Sequence, residues 1–288
     1  MKKIFGLLLF GAMLTITSTG VFAASYTTST NWFDTTNVNH VNTIGKNIAK
    51  ANGISTDVEF KVTDNQNMNT DLSATSEVVY IYNENLKHVA NDNELAAMIA
   101  HELGHIVNGH SAKSSILNNA IASINPNTTT EQGATTVSLL KTISSNSVSK
   151  ENEKEADITA VDLLMNAKYN PLALISVIYK SDAEKTGGIL EQDLSYEDRI
   201  MNIYDYTNYN YPTKAKETYN TDSYKKAYTL IDANIQLRNQ SKSKLAKVEK
   251  TQKKLQKAKL KRIKNMAKST NPWSSAYSMM QLSTSASK

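Results

Sequence analysis

The sequence predicts an α+β fold that is mainly helical. A small sheet stands beside one motif-bearing helix, and a long basic helical arm lies towards the C-terminal end. Three observations carry this. Apolar residues recur at helical spacing through much of the 288-residue chain. Only two short segments, "DVEFKVTD" and "SEVVYIYN", have strand character. Charge is segregated: residues 241–268 hold twelve Lys or Arg against one acid, Glu249, a balance of +11. Setting aside that +11 and the +2 of Lys2 and Lys3, the total of +5 leaves −8 for the remainder. The chain is thus an acidic body with a basic appendage.

The elements follow in order. Lys2 and Lys3, the apolar run "IFGLLLFGAMLTI" and the small residues of "STGVFAAS" predict a secretory signal peptide over 1–23. The run falls short of the roughly 20 residues that span a bilayer, and no later segment is apolar enough to do so. There is no cysteine. Disulfides, thiolate metal sites, thiol catalysis and lipid attachment through an N-terminal Cys are excluded. Residues 24–210 are expected to form one domain. Val38, Val41, Ile44 and Ile48 have helical spacing, and Gly53 fits a C-terminal stop. Val58, Phe60 and Val62 alternate as in a strand, and "SEVVYIYN" reads as a second one. The intervening "NQNMNTDLSAT" is turn-rich. Asn91 and Glu94 have the spacing of a capping box. Leu95, Met98, Ile99, Leu103, Ile106 and Val107 then mark an amphipathic helix.

A polar connection over 111–150 leads to the helix "ENEKEADITAVDLLMNA". "YNP" breaks it, "LALISVIYKSDAE" resumes it, and a loop leads into a last helix around "YEDRIMNIYDY". Residues 211–223 read as a Tyr-rich linker. Residues 224–268, free of Gly and Pro, form the basic arm as one or two long helices, and 269–288 an irregular tail.

The chemistry lies in "AHELGHIVNGH". His101 and His105 are four apart on a helix that turns about 100° per residue, so both imidazoles face one way and can share a tetrahedral zinc. Glu102 lies beside them, placed to take a proton from an attacking water. His110 falls about 180° from His101 on a regular helix and cannot join the same ion. It is expected at the helix end or behind the ligands. The third ligand should be a carboxylate. Glu153 and Asp157 share one helix face, so Glu153 can complete a His-His-Glu set, with Asp157 orienting a ligand histidine, His101 by preference. Glu151 and Glu155 are a rival pair at the same spacing. They lack the following aspartate, and Glu151 sits at the helix start.

H-E-L-G-H-x-x-x-x-H followed by S-[RK]-x-x-E-x-E-A-D, here Ser149, Lys150, Glu153, Glu155, Ala156 and Asp157, resembles the gluzincin peptidases related to HtpX and the CAAX prenyl endopeptidases. The closer likeness is to their soluble, exported bacterial branch. The resemblance covers roughly residues 36–205 and extends to "EVVYIYN", "YNP" and "YEDRI". It implies a zincin-type domain and a zinc-dependent endopeptidase acting on proteins or peptides. One zinc ion would be held by His101, His105 and Glu153, with Asp157 behind them and Glu102 as general base. It also implies quality control or maturation of envelope proteins. Arg199 matches the family's late arginine. Six residues before it the family often has H-P, where this chain has Asp193 and Leu194. An ionised Asp193 could approach zinc as a carboxylate but could not donate to an oxyanion, leaving Tyr196 or Arg199 as donors.

Two further expectations concern partners. Residues 241–268 read either as a solvated helix or as a surface for an anionic membrane or cell-wall polymer. Nucleic acid is disfavoured by the leader and the lack of a recognition motif. The leader points to the periplasm, with secretion as the alternative. A competing function is an envelope chaperone or scaffold with a structural or weakly active metal domain.

Overall fold

The computed structural model of the chain describes residues 25–27, 29–54, 58–65, 72–73, 76–108, 110, 150–183, 196–217 and 219–266. The expected leader, residues 111–149 of the polar connection, the loop with Asp193 and Leu194, and the tail lie outside the described residues. The fold is α+β and mainly helical, with one small sheet among the described residues.

Helix α1 (Thr35–Ala51) starts at Asp34, whose carboxylate accepts from the Thr36 N–H. It stops at Asn52 and Gly53, the latter with φ 65°, a conformation that glycine adopts without steric cost. Val41, Ile44 and Ile48 line its buried face, as their spacing predicts. Strand β1 (Glu59–Thr63) buries Phe60 between exposed Glu59 and Lys61. The two-residue strand β2 (Leu72–Ser73) lies in the stretch expected to be turn. Two residues are too few to show a period-2 pattern. Strand β3 (Ser76–Tyr82) pairs in parallel with β1, Phe60 opposite Val79, and antiparallel with β2, giving the order β1-β3-β2. Helix α1 packs on β1 so closely that a Cβ on Gly45 would fall 2.4 Å from the Phe60 ring.

The short helix α2 (Asn83–Leu86) leads into α3 (Asp92–Val107). The side chain of Asn91 caps α3, accepting from the Glu94 N–H at 3.1 Å. Glu94 turns back and accepts from the Ala90 N–H at 2.7 Å, a capping box displaced by one residue. Glu94 is fully buried and also receives the Ser176 hydroxyl and the Lys180 ammonium. These bonds fix the start of α3 to α5 (Leu172–Ala183), the helix that follows α4 (150–166). They satisfy a charge whose burial alone would cost several kcal/mol.

Helix α6 (Tyr196–Asn210) packs on α5. The stretch 211–223 carries the short helix α7 (Pro212–Ala215) and two buried tyrosines. The Tyr219 hydroxyl donates to Asn91 at 2.9 Å, and that of Tyr211 to the buried Asp162 at 2.6 Å. The basic arm forms two helices, α8 (Asp222–Asn239) and α9 (Lys242–Met266). Tyr224, Ala227 and Ile231 of α8 join the same buried cluster as Leu95, Ile99 and Leu103 of α3 and Leu163 and Leu164 of α4. Burying each such leucine contributes about 1.5–3 kcal/mol.

Candidate metal centre

Helices α3 and α4 meet at Gly104. A Cβ there would fall 2.6 Å from the carbonyl oxygen and 3.0 Å from the Cα of Ala156. Only a residue without Cβ lets the two backbones approach so closely. Sequence reasoning passed over Gly104. Its signal is a glycine inside a strongly amphipathic helix, which costs about 1 kcal/mol against alanine and so points to a packing reason. Asn108, buried at the end of α3, secures the crossing. Its amide donates to the Gly104 carbonyl at 2.7 Å and to Thr159 Oγ1 on α4 at 2.9 Å.

This approach brings Glu153 to the two histidines. The Nε2 atoms of His101 and His105 are 3.1 Å apart. Glu153 Oε2 lies 3.3 Å from His101 Nε2, and Oε1 lies 3.2 Å from His105 Nε2. The three side chains form a group able to hold a metal ion. The edges of the triangle test the fit. Zinc bonds of about 2.0–2.1 Å in a tetrahedron put neighbouring ligand atoms about 3.3 Å apart. The two edges to Glu153 end on different oxygens of one carboxylate, and the spacing and the donor set of two imidazoles and one carboxylate suit zinc.

The charges around the triangle are ordered. Asp157 is fully buried, and its Oδ1 lies 3.0 Å from His101 Nδ1. Arg199 on α6 forks onto Asp157, Nε to Oδ2 at 2.9 Å and a terminal nitrogen to Oδ1 at 2.7 Å, and that terminal nitrogen also lies 3.2 Å from Glu153. Burial opposes ionisation of both carboxyls. The two histidines and Arg199 nevertheless hold Glu153 far below the usual carboxylate range. Arg199 first, then His101, holds Asp157 low. Burial likewise works against a charged His101, but Asp157 and Glu153 outweigh it and raise the imidazole to about 10. Both carboxylates therefore stand ionised beside the histidines, and Arg199 offsets part of their charge.

His110 lies beyond the regular helix, which ends at Val107, so helical arithmetic no longer governs its direction. It is buried, and its Nδ1 meets His105 Nδ1 at 2.9 Å. Its Nε2 lies 3.3 Å from Glu155 Oε2. His110 thus backs a histidine of the triangle and is not a corner of it. The rival glutamates are accounted for as well: Glu155 faces His110, and Glu151 is exposed. Glu102 is half-buried on α3, close enough to act electrostatically on Arg199. Tyr196, at the start of α6, sets its ring edge-on to Tyr179 with centroids 6.1 Å apart. Asp193 is outside the described residues.

The profile of peptidase family M48 matches residues 36–270, most of the chain. The chain belongs to peptidase family M48. M48 peptidases are zinc-dependent metallopeptidases that act on protein or peptide substrates. The matched span reaches past the metal centre through α8 and into the tail beyond α9, so the arm falls within the M48 match. No curated protein sequence matches the chain. No helix among the described residues is long and apolar enough to cross a membrane.

Proposed function

We propose that this M48 peptidase is an exported zinc endopeptidase that cleaves envelope or extracellular proteins for quality control or maturation. The observation that carries the chemistry is the His101–His105–Glu153 triangle, with edges of 3.1–3.3 Å. These three side chains would hold one zinc ion per chain and leave a fourth position for water or substrate. Zinc held there would supply polarisation of the scissile carbonyl and a more nucleophilic water at neutral pH.

The chain's own residues do the rest. Glu102 takes the proton of the attacking water and passes it to the leaving amine. Asp157 fixes the ring and tautomer of His101. His110 does the same for His105: with His105 Nε2 turned to the triangle, its Nδ1–H donates to His110, whose Nε2–H points to Glu155. Arg199 is committed to Asp157 and Glu153, so it acts as a positioning residue for the carboxylates. Tyr196 is then the donor we assign to the developing oxyanion. On the β2 side, residues 78–82 of β3 have no partner strand among the described residues. An extended peptide could add there by main-chain hydrogen bonds, which tolerates many sequences.

The leader-like start supports export, to the periplasm by preference and to the medium as the alternative. Residues 241–268 would hold the enzyme near its substrates at an anionic membrane or cell-wall polymer. The test is cleavage of casein by the purified protein. Activity should vanish with a chelator and return with zinc. Undiminished cleavage after complete metal removal would sink the proposal.

A further inference from the structure

Helix α9 is the most basic element among the described residues, and its lysines are not spread evenly around it. Taking about 100° per residue, Val248, Gln252, Leu255, Gln256 and Lys259 fall on one side. That side faces the body: Gln252 is buried, and Gln256 donates to Asn210 of α6 at 2.9 Å. Lys259 donates to the buried Asp162 of α4, lies 3.2 Å from the Tyr206 hydroxyl, and sits 5.9 Å above the Tyr206 ring. A buried carboxylate thus draws in one lysine and fixes the rotation of α9 about its own axis.

The opposite side follows from that fixed rotation. Lys247, Lys250, Lys254, Lys257 and Lys261 are all exposed and succeed one another at intervals of three, four, three and four residues. That spacing places them within an arc of about 80°, in a line about 21 Å long. Thr251, Ala246 and Ala258 flank the line, so it carries no large apolar side chain. The helix's one acid, Glu249, lies off the ridge and is paired with Lys253. Surface helices usually interleave the two signs, which relieves repulsion. This ridge keeps five like charges in a row.

We propose that this lysine ridge docks the protein on a membrane surface rich in anionic phospholipid. A straight, rigid line of charge can present all five ammonium groups to a plane at once. The exposed Leu245 and Leu260 lie about 160° and 100° around the helix from the centre of the ridge, so the contact the ridge makes is electrostatic and must weaken as salt shortens the Debye length. Asp162 lies five residues beyond Asp157 on α4, about 140° around the helix, so α9 docks away from the face that meets the histidines. The proposal rests on the membrane-recruitment reading of residues 241–268 and not on the peptidase chemistry. Binding and casein cleavage are therefore scored separately.

The experiment is co-sedimentation of the purified protein with vesicles of phosphatidylglycerol and phosphatidylcholine in equal parts, and of phosphatidylcholine alone, at 50 and 300 mM salt. Each lysine near such a surface is worth roughly fivefold in partitioning. Lys247→Gln, Lys250→Gln, Lys254→Gln and Lys257→Gln together should weaken binding to anionic vesicles at low salt at least tenfold. Casein cleavage in solution and the thermal midpoint should not change. A control removes the same charge elsewhere, through Lys50→Gln, Lys216→Gln, Lys225→Gln and Lys226→Gln, all exposed. It should lose less than threefold. Equal losses in the two variants, equal binding to uncharged vesicles, or binding indifferent to salt would each overturn the proposal. Binding to soluble polyphosphate with none to vesicles would overturn it in favour of a free polyanion.

Discussion

Gly104→Ala tests how the metal centre is assembled. The added Cβ would start 2.6 Å from the Ala156 carbonyl oxygen, with ordinary contact beginning at 3.4 Å. The obstacle is backbone and cannot rotate away, so α4 must retreat by about 0.8 Å. Glu153 rides on α4. Its distances of 3.2–3.3 Å to the histidine nitrogens would open towards about 4 Å, beyond the ~3.3 Å that a tetrahedral zinc allows. Loss of support around a metal site typically costs 10–100-fold in affinity. Overpacking costs about 1–3 kcal/mol, and alanine returns about 1 kcal/mol of helix propensity. Net destabilisation should therefore stay within about 2 kcal/mol. Zinc affinity by chelator competition and urea unfolding of the metal-free protein separate the two effects. The expected result is at least a tenfold weaker zinc site in a protein that still folds. Zinc affinity within twofold of the parent would refute the argument from close helix approach.

Other expectations follow from the same geometry. Gly45→Ala drives a Cβ into the Phe60 ring where α1 packs on β1, neither of which carries a residue of the triangle, so it should cost about 1–3 kcal/mol and leave zinc affinity unchanged. Arg199→Met strands the buried Asp157 carboxylate, for an expected loss of about 3–5 kcal/mol in denaturant unfolding. Arg199→Lys should recover only part of this, because an ammonium cannot fork onto both oxygens. His110→Ala should weaken zinc binding by about 10–100-fold with folding retained. His110→Asn, which can still accept from His105, should restore part of the loss. A zinc affinity unmoved by His110→Ala would remove that histidine from the support of His105.

How much of this was legible in the sequence depended on the kind of signal. The regular helices were, because Val41, Ile44 and Ile48, or Leu95, Ile99 and Leu103, repeat every three or four residues along one element. The pairing of His101 with His105 was legible for the same reason. The sequence favours Glu153 over Glu151 and Glu155 through the aspartate one turn on and the place of Glu151 at the helix start, and the structure brings Glu153 to the histidines while Glu155 goes to His110. What stayed hidden lies between elements. The Gly104–Ala156 approach, the fork of Arg199 on Asp157, and the burial of Lys259 against Asp162 join residues 42 to 97 positions apart or on separate helices, with no periodicity to announce them. A continuous helix excludes His110 as a ligand. The exclusion stands beside the observed triangle, but the contact with His105 exists because the helix ends first.

The most direct test of the account is Glu102→Gln. Glutamine keeps the shape of the side chain and cannot accept the proton. The variant should bind one zinc per chain with parental affinity and cleave casein at least a hundredfold more slowly, the lower end of what a general base contributes. Zinc binding intact with cleavage near the parental rate would contradict Glu102 as the base, and with it the mechanism proposed here.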